Sequence, residues 1–189
     1  ILKFKALEEG TNFARDLVSE PPNVLNPKEY VNRLLKLKKL GIKVTVYNEA
    51  QLKKLGMHSL LGVGRGSINE SYLVTLEWNG NKKNKKNILS FVGKGVCFDT
   101  GGLDLKPSQF MRNMKKDMGG AASVLSLAHI IIRSKFKVNL KVLIPAVNND
   151  IGPSSMRPGD VYNSRLGITV EIGNTDAEGR LILADTLTY

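Results

Sequence analysis

With 189 residues and 42% apolar side chains, the chain can bury one core, and no apolar run approaches the ~20 residues of a membrane span. No signal-peptide pattern opens it at Ile1, and its single cysteine, Cys97, excludes an internal disulfide and fits a reducing compartment. The net charge of +11 invites a nucleic-acid reading, but the lysines lie in "NKKNKKN" (Lys82, Lys83, Lys85, Lys86) and "LLKLKKLGIK", with no interleaved aromatics to stack bases, so a solvated loop and a solvated helix face are favoured.

In chain order, residues 1–19 place Leu2, Leu7, Phe13, Ala14, Leu17 and Val18 at three- and four-residue spacing, which predicts a helix that "EPPN" ends. Asn26-Pro27 then caps a second helix running to about Leu40, with Gly41 as its stop. "IKVTVY" reads as a strand, "NEAQLKKLG" as a short helix stopped by Gly56, and "SLLGVGRGS" as a strand running into a glycine-rich bend. "SYLVTLEW" is a strand, the Lys/Asn loop follows, and "NILSFVGKGV" is a buried strand. A long helix over "GGAASVLSLAHIIIRS" precedes the strand "KVNLKVLIPAVNN". "PGD" is a turn, "GITVEI" a strand and "EGRLILADTLTY" a helix. Strands alternating with helices predict an α/β fold, a mixed, largely parallel sheet with helices on both faces. Sites in such sheets lie at the carboxyl ends of strands, where the charged clusters fall.

Two clusters carry the chemistry. "VGKGVCFDTGGLDLKPSQFMRNMKKDMGG" holds Lys94, Asp99, Asp104, Lys106 and Asp117 among glycines, and "NTDAEGR" holds Asp176, Glu178 and Arg180. Neither this stretch nor "GVGRGS" has the order of a phosphate or dinucleotide loop. Converging carboxylates need compensation, and a pair of divalent cations supplies it. With only His58 and His129 present, and His129 placed mid-helix as a packing residue, a histidine-built zinc site is excluded. Structural alternatives remain open for Asp176 as a helix cap, Glu178 as a first-turn acid and Asp117 as a surface acid. Lys94 is the hardest to dismiss, because a lysine at an apolar strand end is costly unless paired or neutral.

The strings "VGKGVCFDTGG", "LKP", "MKKDMGGAA", "RPGDV" and "NTDAEGRLILADTLTY" resemble the catalytic domain of the cytosolic leucine aminopeptidase family over nearly the whole chain. "GTNFARDLVSEPPNVLNP" and "LLGVGRGS" match the start of that domain more loosely. The resemblance implies a truncated zinc-peptidase-like three-layer sandwich. Residues 1–189 would be a partial catalytic domain without the family's amino-terminal domain or the end of the catalytic domain, and 1–25 an interdomain helix and entry segment. It implies Lys94, Asp99, Asp117, Asp176 and Glu178 as ligands to two divalent ions, zinc or manganese, with Asp99 and Glu178 bridging. Lys106 would be the catalytic lysine and Arg180 the holder of a bicarbonate ion, while Met114 would line the substrate pocket. The implied activity is removal of amino-terminal, bulky apolar residues from peptides by a metal-bridging hydroxide, in a cytoplasmic hexamer. The alternative is a DNA-binding or noncatalytic member of the fold. Thr100 stands where serine is usual, "NNDIGPSS" replaces the usual "ENMPSG", and Asp104 is an extra acid expected to share a face with Lys106 and pair with it.

Overall fold

The computed structural model describes residues 2–84 and 86–189, so Ile1 and Lys85 lie outside the described residues. The first helix, α1 (Leu2–Ser19), is followed by α2 (Pro27–Leu35), β1 (Lys43–Tyr47), α3 (Glu49–Lys54) and α4 (His58–Gly64). Then come β2 (Tyr72–Asn79), β3 (Ile88–Val92), β4 (Gly95–Asp99), α5 (Ser108–Met111) and α6 (Gly119–Arg133). The chain ends with β5 (Asn139–Asn149), a hairpin of β6 (Val161–Asn163) and β7 (Thr169–Glu171), and α7 (Glu178–Leu187).

Local chemistry explains most boundaries. Asn26 caps α2 by accepting from the Glu29 amide at 3.0 Å, with Pro27 in the first turn. A 3-10 turn, Lys36–Leu40, extends α2 until Gly41, whose φ of +79° ends it. Asn48 and Gln51 form a reciprocal capping box on α3, and Gly56 at φ +73° stops that helix.

The central sheet is mixed. β5 is flanked by β2 on one side and by β3 and β4 on the other. The β1–β2 and β2–β5 ladders are antiparallel, while β3 and β4 run parallel to β5. Period-two alternation sorts side chains into two cores. Val74, Leu76, Val142, Ile144 and Cys97 face α1, α2 and α6. Leu73, Leu143, Val147 and Val96 face α3, α4 and α7. Three layers follow directly from that alternation.

Two expectations are corrected. "SLLGVGRGS" is the helix α4, not a strand. Its glycines serve close approach: a Cβ on Gly62 would lie 3.0 Å from the Tyr162 ring, and one on Gly64 would lie 1.9 Å from Ser71 Oγ. "NILSFVGKGV" is not one buried strand. It splits into β3, exposed at Ile88 and Leu89, and the buried β4. The break falls at Gly93, where a Cβ would meet Ala121 Cα at 2.5 Å. α6 thereby approaches the sheet closely, and the backbone leaves the strand at Lys94.

His129 packs as expected, its ring stacked on Phe13 with centroids 6.2 Å apart. The same α1–α6 contact carries the Glu9–Arg133 ion pair at 2.8 Å.

Candidate active site

Four segments distant in sequence meet at the carboxyl ends of β4 and β5. Asp99 ends β4 beside Asn149, which ends β5 in the paired register. Lys94 occupies the break between β3 and β4. Asp117 lies in a 3-10 turn, Met114–Met118, that leads into α6. Asp176 and Glu178 sit where the chain leaves β7 and starts α7. Lys106 comes from the loop after β4, bent by Gly101 and Gly102 at φ +89° and +68°. Gly179 is small for a reason: a Cβ there would lie 2.6 Å from Lys94 Cε and 2.8 Å from its Nζ. The Lys94 side chain therefore lies across the first turn of α7.

Each lysine bridges two acids. Lys94 Nζ lies 2.8 Å from Asp117 Oδ1 and 2.7 Å from Glu178 Oε1. Lys106 Nζ lies 2.9 Å from Asp99 Oδ2 and also contacts Asp176 Oδ1. Asp99 Oδ1 accepts from the Gly101 amide at 2.9 Å and from Asn149 Nδ2 at 2.8 Å. Asp99 and Glu178 are only 2% and 1% exposed, whereas the Asp176 side chain is 34% exposed.

The charge balance is incomplete, with four carboxylates facing two ammonium groups. Asp117 Oδ2 and Glu178 Oε1 are buried without an aligned hydrogen-bond donor, although Lys94 stands close to the latter. Burial pushes the Glu178 carboxyl up to about 7; Lys94 opposes the shift, and the charges of Asp99 and Asp117 add to it. Asp117 is likewise raised by burial, against the pull of Lys94. Burial lowers Lys94, but its two acid partners outweigh burial and leave it above its ordinary value. Lys106 is raised in the same way by Asp176 and Asp99. The two ends of the Lys94–Glu178 pair thus shift in the same direction for different reasons. The lysine has two anions beside it, whereas the glutamate has one cation, two anions and full burial.

The orphaned buried oxygen of Asp117 and an excess of carboxylate fit hard divalent cations. Asp99, Asp176 and Glu178 each offer an oxygen within 4.8 Å of the others, close enough for one ion to be shared. Asp117 sits on the Lys94 side of the same cluster.

All six of the acids and lysines expected at the site converge. Arg180 is exposed on the first turn of α7 and, among the described residues, makes no hydrogen bond or ion pair. Met114 is half-buried at the start of the 3-10 turn that carries Asp117. The helix-cap reading of Asp176 does not hold, because Ala177 is the N-cap of α7 and no side chain caps it. The expected Asp104–Lys106 pairing is corrected too. Asp104 turns to Thr175, whose amide it accepts at 2.6 Å, and leaves Lys106 to Asp99 and Asp176.

Asn149 and Thr175 carried no local signal. Asn149 is 1% exposed and donates through Nδ2 to both Asp99 Oδ1 and the Thr175 carbonyl. A buried amide ending the longest apolar strand was the available clue, since such ends hold sites in α/β sheets.

Known proteins share this sequence and architecture. A probable cytosol aminopeptidase of Phytoplasma australiense is 50% identical over 185 residues, which cover 98% of this chain and 37% of that protein. The structure superposes on a leucine aminopeptidase of Caenorhabditis elegans with a TM-score of 0.94 and 36% identity, covering 99% of this chain and 38% of that one. It also superposes on the bottromycin maturation enzyme BotP in complex with Mn, with a TM-score of 0.89 and 38% identity, covering 96% of this chain and 39% of that one. The chain therefore spans little more than a third of the curated relatives it matches. With its α/β layers, its motif spacing and a match across residues 12–189 to the cytosol aminopeptidase family, catalytic domain, the chain belongs to that family.

Proposed function

We propose that this chain forms the metal-binding part of an aminopeptidase that removes amino-terminal residues, preferably bulky and apolar, from peptides. The observation that carries the reading is the meeting of Lys94, Asp99, Asp117, Asp176, Glu178 and Lys106 at one end of the sheet. Lys94, Asp99, Asp117, Asp176 and Glu178 would hold two divalent cations, with Asp99 and Glu178 shared between them. Bound there, zinc or manganese would acidify a water and polarise the scissile carbonyl. The similarity to BotP, solved with Mn, supports manganese as one candidate.

The chain's own residues supply the rest. Asn149 and Gly101 hold Asp99 in one orientation. Lys106, kept protonated by its acid neighbours, is placed to stabilise negative charge developing on the carbonyl oxygen. By the family resemblance, a substrate's free amino group would be held at one of the cations, which would account for selection of the amino end. Arg180, without a partner among the described residues, would anchor a bicarbonate ion, and Met114 would line the side-chain pocket. By the same resemblance, α1 with its entry segment would link to a further domain, and six copies would assemble. The relatives' names support a cytoplasmic location, and among the described residues no helix is long and apolar enough to cross a membrane.

Glu178→Gln in the full chain, supplied with Mn2+, tests the assignment on a leucine amide-type substrate. Hydrolysis should vanish while circular dichroism and a cooperative melt show that the variant is still folded. Wild-type turnover by the variant would overturn the reading, as would a Mn2+-supplied wild-type chain with no turnover.

A further inference from the structure

The residue that departs from the family resemblance, Asp104, has a structural partner that the metal-site reading does not use. Its Oδ2 accepts from the Thr175 amide at 2.6 Å and lies 3.1 Å from the Thr175 hydroxyl. In return, the Asp104 amide donates to Thr175 Oγ1 at 2.8 Å. The single hydroxyl proton of Thr175 has a better acceptor in the Gly101 carbonyl, at 2.6 Å. Thr175 is 0% exposed, and a Cβ on Gly102 would lie 3.0 Å from its Cβ and Oγ1, so the threonine is seated in the bend of the loop.

The loop on the other side is folded by its own bonds. Thr100 Oγ1 donates to the Asn149 carbonyl at 2.7 Å and accepts from the Gly102 amide at 3.1 Å. The Lys106 amide closes the loop on the Thr100 carbonyl at 3.0 Å. Asn149 then ties the Thr175 carbonyl to the Asp99 side chain.

From these contacts we infer that Asp104 and Thr175 form a clamp that sets Lys106 against Asp176, making Asp104 a positioning residue of the proposed reaction. Thr175 immediately precedes Asp176, and Asp104 lies two residues before Lys106. The loop carrying the lysine and the turn carrying the carboxylates come from sequence positions 71 apart, and these reciprocal bonds join them. Partners that orient metal-holding side chains typically change metal affinity or activity by about 10- to 100-fold when removed.

The inference rests on the aminopeptidase reading for its activity readout, so the test also measures Mn2+ affinity, by electron paramagnetic resonance of the free ion. The full chain would carry Asp104→Ala, Asp104→Asn, Thr175→Val and the Asp104→Ala/Thr175→Val pair. Asp104→Ala and Thr175→Val should each weaken Mn2+ binding or lower kcat by about 10-fold or more, with KM moving less than kcat. The double variant should lose no more than about threefold beyond the worse single, because each substitution removes one of the two reciprocal bonds of a single junction and losing either frees it. Asp104→Asn keeps an acceptor for the Thr175 amide and should restore most of the loss, which a general folding defect would not allow. Additive losses, no rescue by asparagine, or wild-type affinity and kcat in Asp104→Ala would each overturn the clamp. A wild type that binds Mn2+ but hydrolyses nothing sinks the peptidase reading and leaves the clamp to be judged on affinity. A wild type that binds no Mn2+ overturns both.

Discussion

At the carboxyl ends of β4 and β5 the chain gathers four carboxylates around two lysines, and two of the acids are almost wholly buried. At the opposite end of the sheet, before β3, Lys82, Lys83 and Lys86 stand exposed in a loop. Asn139 pins that loop, accepting from the Asn81 amide at 2.9 Å and donating to the Asn84 carbonyl at 2.7 Å. A cavity of about 560 Å³ opens there, lined by Asn81, Lys86, Lys137 and Asn139 and by none of the clustered acids. Neither the net charge nor the size of a hollow therefore locates the chemistry. A solvated lysine has little energetic consequence, whereas a buried acid must be matched or must take up a proton.

Lys94 offers the largest effect by which to test that contrast. Lys94→Met keeps most of the unbranched stem of the side chain but leaves Asp117 and Glu178 facing each other without a counter-charge. In chelator, above neutral pH, urea denaturation should show a loss of about 3–5 kcal/mol, the range for breaking a buried pair. A loss below about 1 kcal/mol would put Lys94 among ordinary surface pairs and erase the distinction between the two ends.

The pH dependence is the next largest effect. Burial raises Glu178 from its ordinary 4.5 to about 7, and Asp117 is raised as well. Between those pH values the folded, cation-free protein holds more protons than the unfolded chain. Stability should therefore fall as pH rises through that window and level off above it. Glu178 alone accounts for up to about 3 kcal/mol of the fall. Denaturation midpoints at stepped pH in chelator measure it, and Glu178→Gln should flatten the profile. Added Mn2+ should restore stability most at the high-pH end, because the ions bind the ionised carboxylates. Stability rising with pH across the window would contradict the burial argument.

Most of this architecture was legible, and what was not has a physical pattern. Asn26-Pro27, Gly41 and Gly56 mark their boundaries because caps and stops are local chemistry. The apolar alternation of β2 and β5 was equally readable. The site acids were readable because glycine and carboxylate cluster together in short strings. Helix α4 was misread because Gly62 and Gly64 look like a bend until Tyr162 and Ser71 are packed against them. Asn149 and Thr175 were invisible for a related reason. Their partners lie tens of residues away, and polar residues at strand and turn ends have many bland uses. Asp104 shows the limit of face arguments: an extended segment would pair it with Lys106, but the bend at Gly101 and Gly102 turns it to Thr175.

The smallest expected effect belongs to the basic loop. Replacing Lys82, Lys83 and Lys86 together with glutamine removes three exposed charges and leaves the Asn139 pins in place. Each substitution should change stability by no more than about 0.5 kcal/mol, the usual range at such surfaces. Turnover and Mn2+ affinity should match wild type, because the loop lies at the far end of β5 from Asp99. Duplex DNA is the informative probe here. If the charge is only solvated, wild type and triple variant should bind DNA equally weakly, with affinity lost as salt rises. A duplex-dependent complex formed by the wild type, weakened in the triple variant and intact in Asp176→Ala would instead give this end of the sheet a function of its own. The two ends would then differ in ligand rather than in whether they have one.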